Sequence, residues 1–112
     1  MEALLEEIEK LKTSNTLIIV EGKKDISALR NLGLKNVVEI NGNIYEFAES
    51  IKEDEVVILT DLDPEGKKLY SKLMHYFSQK GIKINNKLRN ILFKETKLRQ
   101  IEGIDTYLEN NS

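Results

Sequence analysis

Apolar residues recur along this chain in two rhythms that alternate. Leu4, Leu5, Ile8 and Leu11 fall at helical spacing with glutamates between them, which predicts an amphipathic helix over residues 2–12, ended by Thr13-Ser14-Asn15. Leu17-Ile18-Ile19-Val20 is a short, unbroken β-branched run, as expected of a strand buried on both faces of a parallel sheet. Ile26, Leu29 and Leu32 mark a second helix closed by Gly33, and Val37-Val38-Glu39-Ile40 supplies a second strand ending in the Asn41-Gly42 turn. Ile44, Phe47, Ala48 and Ile51 form one helix face, and Val56-Val57-Ile58-Leu59-Thr60 reads as a third buried strand. Pro64 suits the first turn of a long helix whose stripe is Leu69, Tyr70, Leu73, Met74 and Phe77. Gly81 ends it before a short fourth strand near Ile82-Lys83-Ile84, and the apolar positions after residue 87 predict two or three short helices.

Strands that alternate with helices imply right-handed βαβ units. The fold class expected is therefore α/β, a Rossmann-like three-layer α/β/α arrangement around a central parallel sheet of about four strands. At 112 residues the chain has the length of a single domain: an N-terminal helix (1–14), a core of βα units (15–86) and C-terminal helices (87–112). In such sheets ligands bind beyond the C-terminal strand ends where the strand order reverses, which for an order 2-1-3-4 lies between the first and third strands.

Composition narrows the chemistry. No apolar stretch approaches the roughly 18 residues of a membrane span. The acidic start Met-Glu-Ala-Leu-Leu-Glu-Glu lacks the features of a secretory signal, so a soluble, cytoplasmic protein is expected. With no cysteine and only His75 as histidine, thiol chemistry, disulfides and soft-metal sites are excluded, and any metal must be held by carboxylates. The net charge of −2 conceals a segregation of signs. Residues 1–66 carry 15 acids against 7 bases, whereas residues 67–99 carry 10 bases against Glu95 alone. A basic segment directly after an acidic cluster suits a phosphodiester ligand, although the same charges would also serve as a solvated helix face.

The acids fall where the topology says to look. The first strand runs into Glu21-Gly22 and the third into Asp61-Leu62-Asp63-Pro64-Glu65-Gly66. Three carboxylates brought together repel one another unless a cation joins them, which points to Mg²⁺, or Mn²⁺ in its place, on Glu21, Asp61 and Asp63. These acids also favour the positive end of the helix that follows, and Glu65 is the expected cap. Lys23, Lys24, Lys67 and Lys68 follow the two loops and are candidates to hold phosphate, with Arg89 and Arg30 as weaker ones. Tyr70 lies on an apolar stripe and reads as core. His75 and Tyr76 sit far from the helix start, where a structural or surface role is expected.

Glu-Gly-x-x-Asp after the first strand and Asp-x-Asp-x-x-Gly after the third resemble the paired motifs of Toprim domains, found in topoisomerases, bacterial primases, OLD-family nucleases and recombination-repair proteins. The stretches 17–25 and 57–68 resemble most closely the ribonuclease that matures 5S ribosomal RNA and small standalone Toprim proteins. The resemblance implies a Toprim fold, Glu21 as metal ligand or general acid/base, and Asp61 and Asp63 as the metal-binding pair. The additional domains of topoisomerases, primases and maturases are not expected within these 112 residues.

Two functions follow. One is a Mg²⁺-dependent nuclease or nucleotidyl- or phosphoryl-transfer enzyme acting on RNA or DNA, with RNA processing one such role. The other is a non-catalytic nucleic-acid or phosphate-binding module that works with a protein partner. A receiver domain would need a pair of acids after the first strand, and a haloacid-dehalogenase-type phosphatase would place Asp-x-Asp there. Neither pattern is present.

Overall fold

The computed structural model describes residues 1–111; Ser112, the last residue of the predicted C-terminal segment, lies outside them. Four strands, β1 (Leu17–Val20), β2 (Val37–Glu39), β3 (Glu55–Ile58) and β4 (Lys83–Ile84), form one sheet in the order β2-β1-β3-β4. All pairings are parallel, with Ile18 opposite Val37 and Val57, and Val56 opposite Ile84. This is the expected Rossmann-like arrangement, and it puts the reversal of strand order at the C-terminal ends of β1 and β3.

Because successive strand side chains point to opposite faces, each unbroken apolar run feeds two cores. Ile18, Val20, Val57 and Leu59 pack against α1 (Glu2–Ser14), α2 (Lys23–Asn31), α5 (Lys87–Glu95) and α6 (Ile104–Asn110). Leu17, Ile19, Val56 and Ile58 pack against α3 (Ile44–Ser50) and α4 (Pro64–Gln79). A 3₁₀ turn at Ile101–Gly103 precedes α6 and rests on the first of these faces. Asn15 ends α1 in the left-handed conformation, φ 55°, which asparagine tolerates better than most residues. No helix among the described residues is long and apolar enough to cross a membrane.

Three local expectations are corrected. Asp63, and not Glu65, caps α4, because its Oδ1 accepts the Gly66 amide at 2.8 Å while Glu65 lies exposed in the first turn. Met74 falls at the edge of the α4 stripe and is 39% exposed, since only Leu73 and Phe77 point squarely at the sheet. The basic segment is not a continuous surface strip. Lys80 donates to the carbonyls of Ala48, Glu49 and Ile51 at 2.7–3.1 Å and so closes the end of α3. Lys83 pairs with Glu55 at 3.8 Å, and Arg89 is buried.

Candidate metal centre

The parallel ladder between β1 and β3 continues to Leu59, whose amide donates to the Ile19 carbonyl at 2.8 Å. Two residues further on, the Asp61 amide meets a side chain. It donates to Glu21 Oε2 at 2.7 Å, so the Glu21 carboxylate itself joins the ends of the two strands. Asp61 is anchored in turn by a segment far along the chain: its Oδ1 accepts the Ile101 amide at 2.9 Å, and the Leu62 amide donates to the Arg99 carbonyl at 2.7 Å. Each of Glu21, Asp61 and Asp63 thus has one oxygen fixed by a backbone N–H, which leaves the second oxygen outside that bond.

The loop between Asp61 and α4 is tied down from beneath. Thr60, fully buried, donates its hydroxyl to the Gly66 carbonyl at 2.6 Å. Gly66 packs so closely on the loop that a Cβ there would lie 2.0 Å from the Asp61 carbonyl oxygen and 2.6 Å from its carbon. Only glycine fits. The first glycine, Gly22, has nothing within 4 Å of where its Cβ would be, and its amide donates to Asp25 Oδ2 at 3.1 Å in the first turn of α2.

Arg89 lies beneath the loop, 7% exposed. Its guanidinium donates to the carbonyls of Thr60 and Asp61 at 2.5 and 3.2 Å and stacks 4.6 Å from the centre of the Tyr70 ring. The Tyr70 hydroxyl donates to Asn86 Oδ1 at 2.8 Å, so Tyr70 supports the arginine. Desolvation holds the Arg89 pKa below its usual value, against the raising effect of Tyr70, Glu21 and Asp61.

Burial pushes the Glu21 carboxyl above its ordinary range, and the charges of Asp61, Asp63 and Asp25 push the same way, against the Asp61 amide. Burial likewise raises Asp61, reinforced by Asp63 and Glu102 and opposed by the Ile101 amide and Arg89. Asp25, buried at the start of α2, is also raised by desolvation, with Asp61 and Glu102 adding to it. Five acids therefore share one electrostatic neighbourhood. As their side chains stand, no three histidine or carboxylate groups among the described residues are drawn together closely enough to hold an ion. The oxygen-only donors, desolvated and mutually repelling, fit a hard divalent cation in kind.

Lys23 and Lys24 are exposed at the start of α2, and Lys67 and Lys68 in the first turn of α4. Arg89 is turned to the backbone and away from solvent. Sequence reasoning missed Asp25, although it completes Glu-Gly-x-x-Asp, and it missed Thr60. The 99–102 segment had no signal at all, because its role is a contact formed across about forty residues.

A Toprim domain model matches residues 16–96. The chain belongs to the Toprim family. It is 40% identical over 116 aligned residues to a UPF0292 protein of Methanosarcina barkeri, covering 96% of this chain and 80% of that one. A UPF0292 protein of Methanocaldococcus jannaschii is 36% identical, with 96% and 91% covered. A solved structure of a protein from Aquifex aeolicus superposes with a TM-score of 0.78 at 30% identity, over 91% of this chain and 95% of that one. Toprim domains generally bind Mg²⁺ and act on nucleic acids. Ile101, whose amide holds Asp61, lies beyond the matched range.

Proposed function

We propose that this Toprim protein is a Mg²⁺-dependent enzyme acting on nucleic-acid phosphodiesters, built as one domain over residues 1–112, with Glu21, Asp61 and Asp63 as its metal ligands. The observation that carries this reading is the bond from the Asp61 amide to the Glu21 carboxylate, which ties the two acidic loops together at the switch point of the sheet. A bound Mg²⁺, or Mn²⁺, would polarise a phosphoryl oxygen and acidify a water.

The chain's own residues do the rest. The Asp61 and Asp63 carboxylates, each steered by one backbone N–H, would present oxygen to the cation, and Arg89 fixes the Thr60 and Asp61 carbonyls behind them. Glu21, its Oε2 held by the Asp61 amide, would offer its other oxygen either to that cation or, as general base, to the proton of an attacking nucleophile. Lys23 and Lys67, with Lys24 and Lys68 behind them, hold the flanking phosphates. The substrates imply a cytoplasmic protein.

The test is incubation of end-labelled single- and double-stranded RNA and DNA with Mg²⁺ or Mn²⁺, for the parent and for Asp61→Asn with Asp63→Asn. Metal-dependent products from the parent alone support the enzyme. Metal-dependent binding without products would instead identify a binding module that depends on a partner protein.

A further inference from the structure

Phe93 is the one large aromatic on α5 that turns away from the core: Leu88, Arg89 and Leu92 form the buried face, and Phe93 is 44% exposed. A lone exposed aromatic is unremarkable by itself. This one is bracketed by two cations, with Lys67 Nζ 4.8 Å and Arg99 Cζ 5.6 Å from its ring centre. Both cations are fastened to the acidic loop. The Lys67 amide donates to the Asp63 carbonyl at 2.9 Å, and the Arg99 carbonyl accepts the Leu62 amide at 2.7 Å. Lys97 and Arg99 also line an open cleft with Asp63. Neither Lys67 nor Arg99 belongs to the ion pairs Lys12–Glu9 and Lys83–Glu55.

We propose that Phe93, Lys67 and Arg99 form a base-stacking platform for single-stranded nucleic acid beside the Asp61–Asp63 loop. The proposal rests on the nucleic-acid reading above and adds the form of substrate. The two cations lie over the ring itself, so its π-face opens to a base when Lys67 swings out to a phosphate and Arg99 exchanges its bonds to the Thr96 and Leu98 carbonyls for another. A duplex, whose bases are already stacked on one another, has no face to give the ring. A strand lying on Phe93 passes Lys67 and Arg99 and so runs alongside Asp63.

The chain contains no tryptophan, so Phe93→Trp places a single tryptophan at the platform, which is excited selectively at wavelengths the four tyrosines do not absorb. Titration with short oligothymidylate or oligouridylate in Mg²⁺ is expected to quench it, and the matching duplex is expected to bind more weakly. Phe93→Ala and Phe93→Leu should weaken single-strand binding by roughly 5- to 150-fold, the range of a lost base–aromatic stack. Their salt dependence and Mg²⁺-induced rise in Tm should stay as in the parent, which also shows that they fold. Lys67→Gln with Arg99→Gln should flatten the log–log salt slope by about 0.7 for each phosphate released. If the parent binds single strands and both Phe93 variants bind within about twofold of it, the platform is wrong and the nucleic-acid reading survives. Preference for the duplex also overturns the platform. If the parent binds no nucleic acid in low salt, both ideas fall together.

Discussion

Gly66→Ala tests how rigidly the acidic loop is held. The added Cβ would start 2.0 Å from the Asp61 carbonyl oxygen, where ordinary contact begins near 3.4 Å, so that oxygen must retreat by about 1.4 Å. It cannot do so alone, because it accepts from Arg89 at 3.2 Å and the amide of the same residue donates to Glu21 at 2.7 Å. Overpacking of this kind costs about 1–3 kcal/mol. Loss of a hydrogen bond to a charged donor adds about 1.5–3 kcal/mol, while exchanging glycine for alanine in a helix returns up to about 1 kcal/mol. The net is about 1.5–6 kcal/mol, which for a chain of 112 residues lowers Tm by roughly 6 °C or more. Gly22→Ala is the control, since its Cβ meets nothing within 4 Å and its backbone is already extended at φ −157°. It should cost no more than about 0.5 kcal/mol. Thermal unfolding followed by circular dichroism, with EDTA and with Mg²⁺, reads both variants. Gly66→Ala should also lose most of the Mg²⁺-induced rise, because the peptide carrying Asp61 has moved. A Gly66→Ala protein melting within about 2 °C of the parent, with that rise intact, would refute the argument.

Asp61→Asn with Asp63→Asn removes two charges but keeps an Oδ1 acceptor for the Ile101 and Gly66 amides, so it should abolish the Mg²⁺-dependent rise in Tm while melting at or above the metal-free parent near neutral pH. A full metal-dependent shift in that variant would rule out the ligands. Alanine at Asp63 should cost about 1 kcal/mol more, through the lost cap of α4, which denaturant titration measures. Glu21, Asp25 and Asp61 all have raised pKa values, so the folded state binds protons more tightly than the unfolded chain. Their contribution to stability is complete below the ordinary values of 3.8–4.5 and is lost as pH rises through the raised ones. In EDTA, the parent should therefore lose stability relative to Glu21→Gln as pH climbs through that window, and calorimetry showing the opposite slope would contradict the assignment. Lys80→Met should lower stability by about 1–2 kcal/mol through the three carbonyls of α3 it uncovers, and leave nucleic-acid affinity measured by anisotropy unchanged.

Much of this fold was legible because β1 is apolar at every position and β3 at every position after Glu55. That pattern arises only when both faces of a strand are buried, and it fixed the parallel sheet, the switch point and the placement of Glu21 and Asp61 at its mouth. What the pattern could not carry was anything set by contact across the chain. Gly22 and Gly66 look equivalent in their motifs, yet only Gly66 is forced by a neighbouring peptide. Lys80 and Arg89 counted equally with Lys67 toward the basic segment, because linear charge is blind to burial. In three dimensions one caps a helix, one lies under the loop and one stands beside Phe93. Asp63 and Glu65 are two residues apart and of like charge, and the choice of cap depended on the geometry of the turn.

The position of Arg89 bears on why an acidic site of this kind would bind a cation. A guanidinium bonded directly to Asp61 or Glu21 would neutralise the charge and occupy the same oxygens that a metal needs. Here it is bonded to the carbonyls of Thr60 and Asp61, and its stabilising effect on the Asp61 carboxylate ranks behind burial, the Ile101 amide and two neighbouring acids. Orientation at this site comes from the backbone, through the Asp61, Ile101 and Gly66 amides, whose partial charges steer a carboxylate without cancelling it. The repulsion among the acids consequently persists in the folded chain, where it adds to the burial that chiefly raises the pKa values of Glu21, Asp25 and Asp61. Relief of that repulsion is available to a divalent cation and to protons, which therefore compete for the same site. On the proposed assignment, this makes metal affinity rise with pH over the range in which those carboxyls ionise.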